Sequence, residues 1–446
     1  MRDINPAIFK AYDIRGVYPE EIDEEVSYRI GRAFVTFLGE ERIVTGRDMR
    51  LSSPALSRAF IAGAREQGAD VTDIGLCSTD MLYFASGSLD MPGAMFTASH
   101  NPKEYNGLKL CRRKAGPISA DTGIAEIKDL VIGGGFPSPA RTGRVEEAEM
   151  LPRYVEHVLG FIAVPALRPL KVVADAGNGM AGLILPALFD RLPCRLFPHC
   201  FEIDGSFPHH QPDPINPENI KLLSRWVRED GGDLGMAFDG DADRVFLVDD
   251  TGEPVSGSLT TAMVARRILQ THPGEKIIYN CINSWVVPET IRAYGGHPVR
   301  ERVGHSFIKQ TMAETGAVFA GEHSGHYYFR DNYRADSGLI AAMIVLEIIS
   351  LEGKPLSEIL KPFKKYFASG EINSRVADIP AKLEEIARLH PAARVDRLDG
   401  VTVEYEDWWF NLRPSNTEPL IRLNLEAKTR ELMEEKTAEV LAVIRS

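Results

Sequence analysis

Asp239, Asp241 and Asp243 alternate with the small residues Gly240 and Ala242 in LGMAFDGDADRVFLVDD, between two apolar, strand-like runs. Three carboxylates at that spacing can converge on one hard cation. Magnesium takes oxygen ligands octahedrally and is commonly held by a few carboxylates plus a substrate phosphate. An EF-hand calcium loop is the nearest alternative. It fails at Arg244, where the sharp turn needs glycine, at Asp250, where a glutamate is expected, and in the flanks, which read as strands rather than helices. A solvated acidic turn also fits, since acids at i, i+2 and i+4 occur on exposed edges.

A second constellation is GAMFTASHNPKEYNGLKL, from Gly93 to Leu110, where a small apolar strand delivers Ser99 and His100 into a turn marked by Pro102 and Asn106-Gly107. A serine hydroxyl is a weak nucleophile, but as phosphoserine it becomes a phosphoryl donor whose charge of about −1.5 to −2 needs a nearby cation. Alone, SHNP also reads as an Asx-type turn. A third is GEHSGHYYF, in which Glu322, Ser324 and His326 combine an acceptor, a hydroxyl and an imidazole suited to sugar hydroxyls and proton transfer. A glycine-bounded polar turn with no such role fits the same residues. The fourth, FNLRPSNTEPLIRLNLE, surrounds a turn with Arg413, Ser415, Asn416, Thr417 and Arg422, donors that a phosphate dianion accepts. Arg422 alternates with Ile421, Leu423 and Leu425, which also suits a solvent-facing strand position.

These residues need a scaffold, and the chain repeats one. RIVTGRD from Arg42, KVVADAGNG from Lys171 and KIIYNCINS from Lys276 each run from a basic residue into a short apolar strand and turn. Each is followed by a helix-like stretch and a second strand (ADVTDIGL, CRLFPHC, HPVRERV), as in parallel βαβ units. Three related α/β domains are predicted over 1–143, 144–251 and 252–362. The cuts fall near IGGGFPSPARTG, DDTGEP and EGKPLSE. A smaller α+β domain is predicted over 363–446, where VTVEYED, WWFNLR and LIRLNLE precede an amphipathic helix from about Thr429. GNGMAG after KVVAD matches GxGxxG, with Glu202 near the acidic position of a dinucleotide site. An NAD-linked oxidoreductase therefore stands as a rival from another class, and a metal-binding protein without catalysis as a third reading.

Composition bounds the remainder. The net charge of −12 over 446 residues argues against a general nucleic-acid binder. Five scattered cysteines without a CxxC pair suit a reducing cytoplasm. The opening MRDINPAIFKAYDIRG lacks an apolar core of signal-peptide length, and the apolar run from Gly338 to Ser350 is short and interrupted by Glu347. Neither export nor membrane insertion is expected.

FKAYDIRG, GRDMRLSSP, TASHNP, DGDADR, GEHSGH and RPSNTEP occur in the order and approximate spacing of the α-D-phosphohexomutases. The chain resembles that family over nearly its whole length, in the form of its bacterial phosphomannomutase/phosphoglucomutase branch. The phosphoglucosamine mutase branch, the alternative within the family, typically has a longer segment between SHNP and NG and a glutamine where His323 stands. The resemblance implies three related α/β domains with mixed sheets and a smaller C-terminal domain around a central cleft. It implies reversible phosphoryl transfer between the 1- and 6-positions of mannose and glucose phosphates. Ser99 would carry the phosphoryl group with His100 beside it. Asp239, Asp241 and Asp243 would hold Mg2+ with that phosphate, and a hexose 1,6-bisphosphate would be intermediate and activator. Glu322 and Ser324 would bind the sugar 3- and 4-hydroxyls, and Arg413 to Thr417, with Arg422, would grip the non-transferring phosphate. Arg15, Lys109 and His326 would be candidates for proton transfer, and Tyr12, Arg244 and His305 would lie near the substrate. The expected partners are small hexose phosphates, with no nucleic acid or membrane, and the expected state is a monomer. One departure stands out: the family often has a basic residue near YNCINSWVVPE, and this chain has none between Lys276 and Arg292. Ile282 takes that place, leaving His305 for the sugar phosphate.

Overall fold

The structure, a computed structural model, describes residues 4–414 and 420–446. Packing divides the chain into two compact units, 1–256 with 324–359, and 257–323 with 360–446.

The first unit contains two sheets. In one, Ile14–Val17, Tyr105–Arg112, Gly93–Phe96, Arg42–Arg47, Asp70–Leu76 and Val145–Glu147 lie side by side in that order. The last four run parallel, while Tyr105–Arg112 pairs antiparallel with both of its neighbours. Gly93–Phe96 is buried along its length, so its C-terminal end can deliver a polar loop from a rigid, apolar base. The helix Glu24–Leu38 covers this sheet. Asp23 caps it by accepting the Val26 amide, Glu24 and Glu25 suit the positive end of its dipole, and Gly39 closes it in the left-handed conformation. Its buried stripe includes Ile30 and Phe34, which join Phe60 and Phe96 in one core, with Phe60 and Phe96 edge to face at 5.4 Å.

The second sheet is ordered Pro254–Val255, Val245–Val248, Leu234–Phe238, Lys171–Asp175, Arg195–His199. The last three strands are parallel, and Val245–Val248 returns antiparallel to Leu234–Phe238. The turn between that last pair holds all three aspartates. Helix Gly338–Glu352, the apolar run noted in the sequence, is buried on every side of its core, and Glu347 accepts the Ala163 amide at 2.8 Å. None of the described helices is long and apolar enough to cross a membrane.

In the second unit, His297–Glu301, Lys276–Asn280 and Phe319–Gly321 form parallel pairs. A five-stranded antiparallel sheet follows, ordered Phe367–Ser374, Ile421–Ala427, Trp408–Pro414, Val401–Glu404, Arg394–Asp396. Helix Arg430–Ile444, capped by Thr429, begins where the sequence predicted it. Helix Ile379–Leu389 lies where the sequence predicts strands without crossover helices ahead of the final helix. The fold is thus the predicted mixture of α/β sheets with a smaller α+β region. None of the five cysteines, all among the described residues, forms a disulfide.

Candidate active site

Ser99 follows the strand Gly93–Phe96 with φ of 49°, in the left-handed region, and only 4% of its surface is exposed. Its amide donates to Thr97 Oγ1 at 2.9 Å. Its hydroxyl donates to Asp239 Oδ2 at 2.6 Å and lies 3.2 Å from His100 Nδ1. Two sequence motifs 140 residues apart therefore meet through one hydrogen bond. Gly240 permits the approach: a Cβ there would stand 2.5 Å from the Ser99 carbonyl oxygen.

Ligand atoms of Asp239, Asp241 and Asp243 lie within 4.8 Å of one another, and all three side chains are buried. Arg244 Nε donates to Asp239 at 2.8 Å, its Nη2 reaches Ser99 Oγ at 3.4 Å, and the same nitrogen contacts His100 Nδ1 at 2.5 Å. Lys109 bridges Asp241 at 2.6 Å and Asp243 at 2.5 Å, while Thr79 Oγ1 donates to Asp241 at 2.6 Å. Burial pushes Asp239 up to about 8 against the pull of Arg244, with the other two aspartates adding to the rise. Burial also raises Asp243, with Asp241 as the next cause. For Asp241 burial is outweighed by the Lys109 ammonium together with Thr79 and Arg244, which hold the carboxyl well below its usual range. Burial opposes the charge on Lys109, but Asp241 and Asp243 outweigh it and keep the amine protonated. Burial, reinforced by Arg244, drives His100 well below the ordinary histidine value, so its ring is neutral.

Whether these residues fit a metal turns on the oxygens that have nothing to accept. Asp241 Oδ1 and Asp243 Oδ1 are buried and receive no hydrogen bond. Buried carboxylate oxygens without donors are costly, and hard oxygen ligands of this kind fit a magnesium ion. The residues present fit the group.

Arg15, on Ile14–Val17, donates to Asn101 Oδ1 at 2.6 Å, inside the serine loop, and also binds Asp13. Tyr12 lies half-buried just ahead of that strand. His326 Nδ1 lies 3.1 Å from Ser324 Oγ and its Nε2 lies 3.9 Å from Asp243 Oδ1, and a backbone bridge pairs His326 with Arg244. The first unit therefore assembles Ser99, His100, Lys109, Arg15, Asp239, Asp241, Asp243, Arg244, Ser324 and His326.

The second unit holds Glu322, His305, Arg413 and Arg422. Glu322 is buried, and its Oε1 accepts from Asn280 Nδ2 and the Gly304 amide, both at 3.3 Å. His305 starts the helix His305–Thr315 beside that glycine. Arg413 and Arg422 share one carboxylate, Glu371, at 2.9 Å each. Arg422 is thus engaged in an ion pair rather than simply facing solvent. Ser415, Asn416 and Thr417 lie outside the described residues. Ile282 is buried, and Arg300, the nearby basic side chain, is committed to Asp396 and Thr402.

The dinucleotide reading of GNGMAG fails on its amides. A pyrophosphate needs free N–H groups at such a turn. Here Gly177 donates to Asp175 Oδ1, and Asn178, Gly179, Met180 and Gly182 donate to the carbonyls of Cys200, Ala176, Gly240 and Gly179. The motif is a structural turn packed on the aspartate loop. The sequence gives no signal for Thr79 and Glu371, whose surroundings carry no distinguishing spacing, and places Asn101 inside TASHNP without marking its role.

Four family models match in chain order: phosphoglucomutase/phosphomannomutase alpha/beta/alpha domain I over residues 6–136, domain II over 152–252, domain III over 256–366, and the C-terminal domain over 371–443. A phosphomannomutase of Salmonella montevideo is 42% identical, covering 99% of this chain and all of that one. A protein of Xanthomonas campestris pv. campestris described as phosphohexose mutases is 41% identical over 98% of this chain and 99% of its own. A crystal structure of a phosphoglucomutase/phosphomannomutase family protein from Burkholderia thailandensis superposes with a TM-score of 0.91 at 34% identity, covering 99% of this chain and 98% of that one. With the geometry above, these matches mean that the chain belongs to the phosphoglucomutase/phosphomannomutase family, the α-D-phosphohexomutases, and is an isomerase of the phosphohexose mutase type.

Proposed function

We propose that the enzyme carries a phosphoryl group on Ser99 and moves it reversibly between the 1- and 6-oxygens of mannose and glucose phosphates through a hexose 1,6-bisphosphate. The observation that carries this reading is the Ser99 hydroxyl, 2.6 Å from Asp239, beside two buried carboxylate oxygens that accept no hydrogen bond. A nucleophile is met there by both the acids that would hold a cation and the cations that would steady its phosphate.

Asp239, Asp241 and Asp243, with the Ser99 phosphate, would hold Mg2+, which when bound polarises phosphoryl oxygens and offsets their charge. The chain's own residues do the rest. Transfer breaks the bond between phosphorus and Ser99 Oγ and forms one between phosphorus and a sugar oxygen, whose proton must leave. Phosphoryl transfer has a loose transition state, so positioning and charge stabilisation dominate. Arg244 and Lys109 supply fixed positive charge. Lys109 stays protonated and Arg15 is a guanidinium, so both are electrostatic groups, and His326 is the side chain suited to take the proton. The reverse half-reaction returns the other phosphate of the bisphosphate to Ser99. Glu322 and Ser324 would accept and donate to the sugar 3- and 4-hydroxyls. Arg413, Arg422, Ser415, Asn416 and Thr417 would bind the non-transferring phosphate, with His305 and Tyr12 as further contacts.

Intact-mass analysis after incubation with glucose 1,6-bisphosphate is expected to show one added phosphate on the peptide containing TASHNP. Phosphorus NMR of mannose, glucose and glucosamine 1-phosphates with enzyme, magnesium and a trace of bisphosphate is expected to show conversion of the first two. Labelling elsewhere, or turnover confined to glucosamine 1-phosphate, would overturn the reading.

A further inference from the structure

GRDMRLSSP, from Gly46 to Pro54, lies outside the chemistry just described, yet it holds the largest fully buried side chain among the described residues, Arg50. Its guanidinium donates four hydrogen bonds, all to backbone carbonyls of the serine loop. Nη1 donates to Pro102 O at 2.8 Å and Tyr105 O at 2.9 Å, and Nη2 to Ser99 O at 2.8 Å and Asn101 O at 2.7 Å. Asp48 supplies the counter-charge, with Oδ2 3.3 Å from Arg50 Nε. Its other oxygen accepts the Arg50 amide at 3.0 Å and the Ser53 hydroxyl at 2.6 Å. Asn106, at the far end of the loop, donates to the hydroxyls of Ser52 and Ser53 at 2.8 and 3.0 Å. Gln211, from a loop of the second sheet's domain, donates to His100 O at 2.7 Å. The carbonyls of Ser99, His100, Asn101 and Pro102 are thus each held by a side chain.

A wholly buried ion pair is a costly way to satisfy the carbonyls of a short turn, which water or neighbouring amides ordinarily serve. What it supplies is geometry: a guanidinium is a rigid planar fork whose donor directions are fixed. Ser99 needs that. Its φ of 49° is unfavourable for a residue with a Cβ and persists only where the surroundings over-determine it.

We propose that Arg50 is a positioning residue that holds Ser99 in its left-handed conformation by fixing the carbonyls around it, and so keeps Oγ aimed at the phosphoryl group it exchanges. The inference rests on Ser99 being the phosphoryl carrier. A lysine at position 50 keeps the charge but lacks the fork, so it cannot reproduce four bonds to four carbonyls. Misplacement of a nucleophile by about 1 Å can cost about 100-fold in rate.

The test compares wild type, Arg50→Lys and Arg50→Gln as full-length enzymes with magnesium. Cooperative melting reports folding. Intact mass after glucose 1,6-bisphosphate counts sites that can be phosphorylated, and single-turnover transfer to Ser99 gives a rate per site. Both variants are expected to melt cooperatively and to transfer about 100-fold more slowly per site, with KM for glucose 1-phosphate within about threefold of wild type. A normal rate per site in Arg50→Lys, or a loss explained wholly by fewer competent sites, overturns the proposal. So does failure of both variants to fold at 25 °C, which would assign the four bonds to stability. If wild type itself is not phosphorylated on Ser99, the reading of Ser99 fails, a result distinct from a variant that labels at the normal rate.

Discussion

Two polar clusters stand at the same end of two neighbouring parallel strands, and they solve the problem of buried charge in opposite ways. Lys171–Asp175 ends in Asp175, and Leu234–Phe238, paired with it so that Ala237 faces Asp175, runs into Asp239. At Asp175, His210 Nε2 lies 3.0 Å from Oδ2, His210 Nδ1 bonds Gln211 O at 2.9 Å, and Gly177 donates to Oδ1 at 2.9 Å. Cys200 completes a trio with metal-ligating chemistry, yet the carboxylate and the imidazole already have partners. At Asp239, Asp241 and Asp243, two buried carboxylate oxygens have none. One cluster neutralises itself and is architecture. The other leaves two buried acceptor oxygens that a cation would complete, and those open acceptors mark the chemistry.

The sharpest way to break this contrast is Ser99→Ala. A covalent carrier cannot be replaced by positioning, so turnover is expected to fall by several orders of magnitude with loss of phosphate labelling by mass. Near-normal turnover would remove the premise. Replacing Asp241 or Asp243 with Ala comes next. Turnover is expected to fall by about 10²-fold or more, and the magnesium concentration giving half-maximal activity to rise, while circular dichroism keeps its native form. Unchanged magnesium dependence in both variants would make the loop a structural turn like its neighbour.

Why the sequence pointed to one cluster and only half to the other follows from what spacing can encode. Alternating aspartates and a strand-end serine declare themselves because their chemistry is local, and the βα repeats declare the fold because apolar strands and turn residues recur. The Asp175–His210 pair joins residues 35 apart with no repeating pattern, and GNGMAG next to it advertised a nucleotide that its committed amides could not bind. Arg50 was legible as part of a motif but not as a staple, because its partners are backbone carbonyls, which no side-chain pattern betrays. Glu371 was hidden for a related reason: it reaches Arg413 and Arg422 from a different strand of the antiparallel sheet.

A smaller effect is expected at Glu322, whose Oε1 is held by Asn280 and Gly304. If it binds sugar hydroxyls that mannose and glucose share, Glu322→Ala should lower kcat/KM for both 1-phosphates together, by about 2–4 kcal/mol in transition-state binding. Wild type should use the two sugars with efficiencies within about two orders of magnitude, since the proposed anchors do not read C2, where they differ. Steady-state kinetics on both substrates checks this. A loss confined to one sugar would mean that Glu322 discriminates rather than anchors.

The smallest effect on catalysis, and the one that tests the self-neutralised cluster directly, belongs to His210→Asn. Burial disfavours the charged ring, but the hydrogen bonds it donates to Asp175 and Cys200 and the Asp175 charge outweigh it and push His210 from 6.5 up to about 10. The sign of the consequence follows from proton counting. Below about pH 6.5 the histidine is protonated in both folded and unfolded chains, and the pair's contribution is fully present. Between pH 6.5 and about 10 the unfolded chain has released the proton while the folded one keeps it, so stability falls as pH rises through that window. Wild type should therefore melt roughly 3–8 °C above His210→Asn at pH 6, a gap expected to shrink steadily toward pH 10. Turnover at pH 7.5 should stay within about tenfold, because the cluster supplies no group to the phosphoryl transfer, and magnesium dependence should not move. A gap in melting temperature that is constant with pH would mean that His210 acts through packing alone. A shift in magnesium dependence would mean that the two strand-end clusters are one electrostatic system, and that the open acceptors of the aspartate loop depend on its neighbour.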